Sequence, residues 1–166
     1  LLSSNFFLYK CSMSLLNQKT IKNKIAISGI GLHTGKNVEL TLIPAAPNNG
    51  ITFKRNDVKK NNIIIPTYEN VVNTNLCTTL SNRHGTKVST VEHLMGALYG
   101  LGIDNLNIEI NSQELPILDG SAKIFVKEIL SAGIQTSSTP IKLIKINKKV
   151  SYEELSKKIS IEPSKV

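Results

Sequence analysis

Short runs of alternating apolar and polar residues fill the first part of the chain and predict β-strands. Residues 38–42, VELTL, have the period of two that a strand with one buried face requires. Turn-forming sequences separate such runs at 29–35 (GIGLHTG), 44–50 (PAAPNNG) and 59–62. We therefore expect a meander of short strands between residues 20 and 66.

In two later stretches, the apolar residues have the spacing of an amphipathic helix. The first apolar stripe comprises Val91, Leu94, Met95, Leu98 and Leu101. This helix should end near Gly100 and Gly102. A second helix should run from about Ser121 to a C-terminal cap at Gly133, with Phe125 and Ile129 on its buried face.

The remaining apolar runs predict further strands. We expect a pair at 76–80 and 86–89, a strand at 106–110 and a closing strand at 141–146. Ile159 and Ile161 begin a strand for which the sequence shows no partner. Many strands with only two helices predict an α+β fold, a two-layer domain in which a mostly antiparallel sheet packs against the helices.

Length and charge narrow the class of protein. At 166 residues the chain has room for one domain, and its 40% hydrophobic content suffices for a core. The formal charge of +8 would suit an anionic partner. However, the lysines are scattered, and aromatic residues, on which nucleic-acid bases stack, make up only 5%, with no Trp. We therefore expect a solvated basic surface and no nucleic-acid partner.

The cysteines and the beginning of the chain bear on its location. Cys11 and Cys77 offer neither a disulfide framework nor paired metal-ligand spacing, which predicts a reducing compartment, the cytoplasm. No run reaches the roughly 18 apolar residues of a transmembrane segment. The first methionine is Met13, so residues 1–12 are expected to be a spurious or disordered upstream segment.

Glu92 and His93 are the residues whose chemistry the sequence favours most. They lie in the first turn of the first predicted helix, directly after a predicted strand. The positive end of a helix dipole favours a carboxylate and a neutral imidazole. A neutral imidazole can bind zinc, zinc lowers the pKa of a water that it binds to about 7, and an adjacent carboxylate can take up the proton. One general base and one metal ligand can therefore come from this pair.

Local pattern alone also allows structural roles for both residues. Ser89-x-x-Glu92 matches a capping box, in which the glutamate satisfies a backbone donor at the helix start. A single histidine is often a hydrogen-bonded structural residue, and no second histidine lies three or four residues from His93 to close a metal site. The local sequence leaves both interpretations open.

The other two histidines differ in their setting. His33 lies in GIGLHTG, whose glycines lack the GxGxxG spacing of a phosphate-binding loop and precede no helix pattern, which disfavours a nucleotide cradle. The spacing favours a β-bulge or tight turn, and a pocket lined by His33 is the alternative. His84 lies in a polar turn and is expected to be solvated.

Four longer segments carry a family resemblance: SGIGLHTGKNVELTL, NVVNTNLCTTL, STVEHLMGALYGLGIDNLNIEI and ELPILDGSAKIFVKEILSAGI. They resemble, in order, the UDP-3-O-acyl-N-acetylglucosamine deacetylases of lipid A biosynthesis in Gram-negative bacteria. The resemblance implies a zinc amidohydrolase that removes the N-acetyl group from a UDP-linked, O-acylated glucosamine and releases acetate. It further implies Glu92 as the general base, His93 as a zinc ligand, and His33, Leu76 and Cys77 as substrate-lining residues.

The same resemblance implies that this chain is the first of two similar domains with a ribosomal-protein-like fold. The family's second domain supplies another His and an Asp as Zn²⁺ ligands in an HKxxD segment, which this sequence lacks. We expect the first domain at 13–146, and at 147–166 a linker or the truncated start of the second.

One histidine cannot hold catalytic zinc, which normally has three protein ligands. We therefore expect this chain alone to be inactive and to require the missing C-terminal domain in cis or in trans. His33, Asp104 and Asp119 match metal ligands by residue type alone, and no physical argument favours them as ligands. A small basic nucleic-acid-binding module and an inactive interaction domain of the same fold are the alternative functions.

Overall fold

The structure is a computed structural model that describes residues 16–164, so the predicted upstream segment at 1–12 lies outside the described residues. The chain divides into two compact units, one of which ends at Pro140 while the other contains residues 141–164. The elements of the first unit are β1 (Asn17–Ile21), β2 (Ile25–Ile30), β3 (Asn37–Pro44), β4 (Ile51–Arg55), β5 (Ile63–Ile64), β6 (Val71–Asn73), β7 (Thr79–Ser81), β8 (Lys87–Ser89), α1 (Glu92–Leu101), β9 (Leu106–Ile110), α2 (Lys123–Ala132) and β10 (Ile134–Pro140).

The strands of this unit form three sheets among the described residues. A five-stranded sheet has the order β2-β3-β9-β4-β5, a three-stranded sheet the order β6-β7-β8, and β1 pairs with β10. Every pairing is antiparallel except that of β4 with β9. The α+β class predicted from the sequence is confirmed. The expected pair of strands at 76–80 and 86–89 corresponds to β7 and β8.

One hydrophobic core joins the sheets to both helices. Val38, Leu40 and Leu42 alternate inward along β3, and the inward residues of β9 meet them in the same cluster. Helix α1 contributes Leu94 and Leu98, which with Val91 just before the helix are the buried part of its predicted stripe. The period-two and helical patterns therefore identified the faces that the core buries.

Both helices end where their glycines predict. Gly102 follows α1 with a left-handed backbone (φ 68°), and its N–H bonds the carbonyl oxygens of Leu98 and Tyr99. Gly133 is the C-terminal cap of α2 and donates to the Leu130 carbonyl. The start of α2 differs slightly, since the helix begins at Lys123 instead of near Ser121.

The closing strand predicted at 141–146 is wrong. The closing strand is β10, which pairs with β1 and places Ile134 opposite Ile21. Its sequence, IQTSSTP, is largely polar and only partly buried, so backbone pairing with β1 and not apolar content determines it. Residues 141–149, all of them described, contain no strand.

The unit of residues 141–164 contains a hairpin. Strands β11 (Val150–Glu154) and β12 (Lys157–Ile161) pair antiparallel, with Tyr152 opposite Ile159. The expectation that Ile159 begins a strand without a partner is therefore wrong. The partner strand, VSYEE, has only two apolar residues and so gave no strand signal.

Candidate active site

The start of α1 presents Glu92 and His93, both half-buried, three residues beyond the end of β8. Thr90, in the connection, is 3% exposed and has a left-handed backbone with φ of 58°. A β-branched residue rarely adopts this conformation, which costs on the order of 1–3 kcal/mol. The surrounding structure must therefore hold the connection in place.

The capping-box interpretation of Ser89 and Glu92 is wrong. The residue at the N-cap position is Val91, and Glu92 is the first residue of the helix. Glu92 Oε2 accepts a hydrogen bond from the backbone N–H of Thr78 at 3.0 Å, and Ser89 Oγ donates to the carbonyl oxygen of Gln113 at 3.1 Å. Both side chains bind distant segments, so neither caps α1 locally.

The hydrogen bond from Thr78 brings the segment 76–78 against the start of α1. Leu76 is 92% exposed and has a left-handed backbone with φ of 65°, an unfavourable combination for an apolar side chain. Cys77 is half-buried, and its Sγ lies 3.9 Å from Thr79 Oγ1. The structure thus attaches Leu76 and Cys77 to the helix that carries Glu92.

Residues 31–35 form a tight turn, as the glycine spacing predicts. Gly31 N–H donates to the Lys36 carbonyl at 3.0 Å, and Gly35 N–H donates to the Gly31 carbonyl at 2.9 Å. The side chain of His33 at the tip is exposed, whereas the N–H groups of His33 and Thr34 donate to a carboxylate of the protein itself. These amides therefore do not present an anion site to a nucleotide.

That carboxylate belongs to Glu114, which is fully buried and which the sequence analysis did not select. It accepts from His33 N–H at 2.9 Å, from Thr34 N–H at 2.8 Å and from the Thr90 hydroxyl at 3.0 Å. Burial acts to raise the pKa of the Glu114 carboxyl, but these hydrogen bonds outweigh it and hold the pKa below its ordinary value. An isolated acidic residue just before the apolar run LPIL was the signal that could have identified it.

The described residues do not complete a metal site by themselves. No group of three His, Cys, Asp or Glu side chains within residues 16–164 is arranged to hold a metal ion. The two aspartates have local partners: Asp104 accepts from Lys19 N–H at 2.7 Å, and Asp119 accepts from Ser121. His84 is an exposed turn residue beside Arg83. His93 thus has no second or third ligand there.

Two carboxylates therefore assemble the region, and its chemistry follows from them. The hydrogen bond of Glu92 joins α1 to segment 76–78. The hydrogen bonds of Glu114 join Thr90, in the segment before α1, to the turn that carries His33. The arrangement can present the carboxylate of Glu92 and the imidazole of His93 to a ligand, and the attached segments carry an exposed apolar side chain and an exposed histidine. In the part of the chain that the structure describes, no helix has the length and apolar character of a membrane span.

Known proteins match the chain along most of its length. The family model of UDP-3-O-acyl N-acetylglycosamine deacetylase matches residues 18–166. The UDP-3-O-acyl-N-acetylglucosamine deacetylases of Geotalea uraniireducens and Wigglesworthia glossinidia brevipalpis are 47% and 48% identical to it, over 89% and 90% of this chain. That of Haemophilus influenzae is 43% identical over 90% of this chain. The chain spans about half the length of these relatives, between 48% and 51%. By sequence and fold, it belongs to the UDP-3-O-acyl N-acetylglycosamine deacetylase family.

Proposed function

We propose that this chain supplies the general base and one zinc ligand for the hydrolysis of the N-acetyl group of UDP-3-O-acyl-N-acetylglucosamine, the committed step of lipid A biosynthesis. The observation that carries the proposal is the family match over residues 18–166, within which Glu92 and His93 occupy the start of α1. We further propose that the chain works in the cytoplasm, because its two cysteines offer no disulfide framework.

Glu92 is the proposed general base. It takes a proton from the water that attacks the acetamide carbonyl and returns it to the leaving amine, so that the C–N bond breaks and acetate is released. The N–H of Thr78 supports this role, because its hydrogen bond at 3.0 Å restricts the carboxylate of Glu92 to one orientation. A positioned base is more effective than a mobile one.

His93 is the proposed zinc ligand. Its imidazole is half-buried at the second position of α1, next to the base. Zinc, when bound, supplies Lewis-acid activation. Because catalytic zinc normally has three protein ligands, the others would come from the part of the family protein that this chain does not span.

His33, Leu76 and Cys77 are the proposed substrate-lining residues. Their segments are attached to the start of α1 through Glu114 and Thr78. The exposed side chain of Leu76 offers an apolar contact, and the exposed imidazole of His33 offers a hydrogen bond. The strained backbone at Leu76 supports a role in binding, since such conformations cluster at ligand-binding positions.

A chimaera tests the proposal directly. Residues 18–166 of this chain replace the matched 148-residue part of the Geotalea uraniireducens deacetylase, and acetate release from UDP-3-O-acyl-N-acetylglucosamine is measured. We expect turnover with one zinc bound per chain. A chimaera that unfolds cooperatively but releases no acetate contradicts the proposed function.

Substitution of His93 tests the zinc assignment within the same chimaera. We expect His93→Ala to lose most of the bound zinc and the activity, because one of three protein ligands is removed. The matched control is His84→Ala, which alters the exposed turn and should keep the metal. Zinc content is measured by atomic absorption after gel filtration, and full zinc content in His93→Ala contradicts this role.

A further inference from the structure

The segment around Glu114 lies between two parts of the proposed active site and bonds to both of them. On one side, Leu115 N–H donates to the Ser89 carbonyl at 3.0 Å, at the end of β8. On the other side, Ile117 N–H donates to the Ile30 carbonyl at 2.9 Å, just before the tight turn. The backbone alone therefore fixes the base of the turn and the end of β8 relative to each other.

Backbone pairing does not reach the tip of the turn. The N–H groups of His33 and Thr34 donate instead to the two carboxylate oxygens of Glu114, one to each. The oxygen that accepts from His33 also accepts from the Thr90 hydroxyl, two residues before the proposed base. One carboxylate therefore holds both the residue that presents an imidazole and the strained connection into α1.

The turn closes tightly around this carboxylate. A Cβ atom on Gly31 would lie 2.6 Å from Glu114 Oε2 and would also meet the Thr34 hydroxyl, so only glycine fits. Burying an ionised group is costly unless hydrogen bonds compensate, and here the amides of His33 and Thr34 and the hydroxyl of Thr90 all donate to it.

We propose that Glu114 is a positioning residue of the deacetylase site. Its carboxylate sets the separation between the turn that presents His33 and the helix start that presents Glu92. Substrate that is bound at the turn with His33 then lies within reach of Glu92. This inference rests on the proposed function. A positioning role differs from a purely structural one in a testable way. If Glu114 positions the site, removal of its carboxylate lowers the rate even of enzyme that is folded and zinc-loaded.

Amide hydrogen exchange in the 166-residue chain tests the contacts of Glu114. In Glu114→Gln, we expect the amides of His33 and Thr34 to exchange about tenfold faster or more, because a bond to a charged acceptor is lost. The amides within β3 and β9 should keep their protection. The matched control is Glu109→Gln, which removes a carboxylate bound to Lys54. Unchanged exchange at His33 and Thr34 overturns the inference.

Kinetics of the chimaera test the positioning role. Rates are given per folded, zinc-loaded molecule, so a loss of stability alone leaves them unchanged. We expect Glu114→Gln to lower kcat about 10- to 100-fold and to change KM less than about threefold, because misplacement of reacting groups acts on the rate. Glu109→Gln should keep kcat. An unchanged kcat in Glu114→Gln overturns the inference.

Two further comparisons keep the outcomes distinct. If Glu114→Gln does not fold, Thr90→Val decides, since it keeps the carboxylate and the side-chain shape of residue 90 and removes only the hydrogen bond from the Thr90 hydroxyl. We expect its kcat to fall about tenfold, and an unchanged kcat overturns the inference. An unsubstituted chimaera that folds without activity contradicts the proposed function, whereas an active one with an insensitive Glu114 contradicts only the positioning role.

Discussion

The two helices of this domain begin in different ways. At α2 the bonds are local: Asp119 accepts from the N–H and hydroxyl of Ser121, and Ser121 Oγ accepts from the N–H of Lys123. At α1 the bonds are distant: Glu92 accepts from Thr78, and the Thr90 hydroxyl donates to Glu114, 24 residues away. One start is held by bonds between residues two positions apart, and the other by bonds to residues 14 and 24 positions away.

The difference indicates where the domain tolerates unfavourable local structure. Thr90 has a left-handed backbone, and Glu114 is a buried charge, and both would be destabilising in isolation. Their mutual hydrogen bond and the two amide donors compensate for these costs. Strain that tertiary contacts maintain is typical of sites that present reactive groups. The start of α2 has no buried charge, because Asp119 is exposed, and its left-handed residue, Leu118 (φ 53°), lies five residues before the helix, whereas Thr90 lies two residues before α1.

The largest expected effect concerns Glu92, the proposed base at the start of α1. In the chimaera, Glu92→Gln should lower turnover about 10²- to 10⁴-fold, because an amide cannot take a proton from water. Zinc should remain bound, since His93 is intact. The matched control is Glu128→Gln in α2, which should keep turnover within about twofold. Acetate release and zinc content are the measurements, and full turnover in Glu92→Gln would exclude it as the base.

The buried carboxylate should make the stability of the α1 region depend on pH. Because the pKa of Glu114 is lower folded than unfolded, its contribution is present above the unfolded value, about 4.3, and is lost as the pH falls through the folded value. At pH 7, Glu114→Gln should destabilise the chain by about 2–4 kcal/mol.

Urea unfolding at pH 7 and at pH 3 measures this dependence. The difference between Glu114→Gln and the unsubstituted chain should shrink at pH 3, below the unfolded value, because protonation of the carboxyl in the unfolded chain removes part of the advantage of the ionised form. Glu109 also has a lowered pKa, mainly through its hydrogen bond with Lys54, but it is more exposed, so Glu109→Gln should change the pH dependence less. An equal destabilisation by Glu114→Gln at both pH values would contradict the assignment of an ionised carboxylate.

The sequence predicts those elements whose own residues determine them. Strand β3 and helix α1 bury one face each, so period and stripe identify them, and Gly102 marks the helix end. Strand β10 escapes prediction, because pairing with β1, more than 100 residues earlier, makes a polar segment into a strand. The apolar residues at 141–146 wrongly predicted the closing strand there.

For the candidate site, too, the sequence predicts what neighbouring residues determine and misses what distant contacts determine. Glu92 and His93 are adjacent in sequence, so a shared role could be inferred from their residue types and the helix dipole. Their relation to Leu76 and His33 could not be inferred from local pattern, and came only from family resemblance. The partners of Glu114 lie in two segments distant from it and from each other, the turn at His33 and Thr34 and the connection at Thr90, which no sequence period records. Long-range hydrogen bonds are therefore what sequence reasoning missed here.

The smallest expected effect concerns the local bonds at the start of α2. Ser121→Ala removes the acceptor of the Lys123 N–H and the hydroxyl that donates to Asp119, and the loss of these two exposed hydrogen bonds should cost about 1 kcal/mol of unfolding free energy. The urea midpoint should fall with an unchanged m-value, because the folded surface stays the same. Turnover of the chimaera should be unchanged, since α2 holds neither the base nor the proposed ligand. If Ser121→Ala instead lowered turnover as far as Glu114→Gln does, the two helix starts would not differ in function, and the distant bonds of α1 would lose their special role.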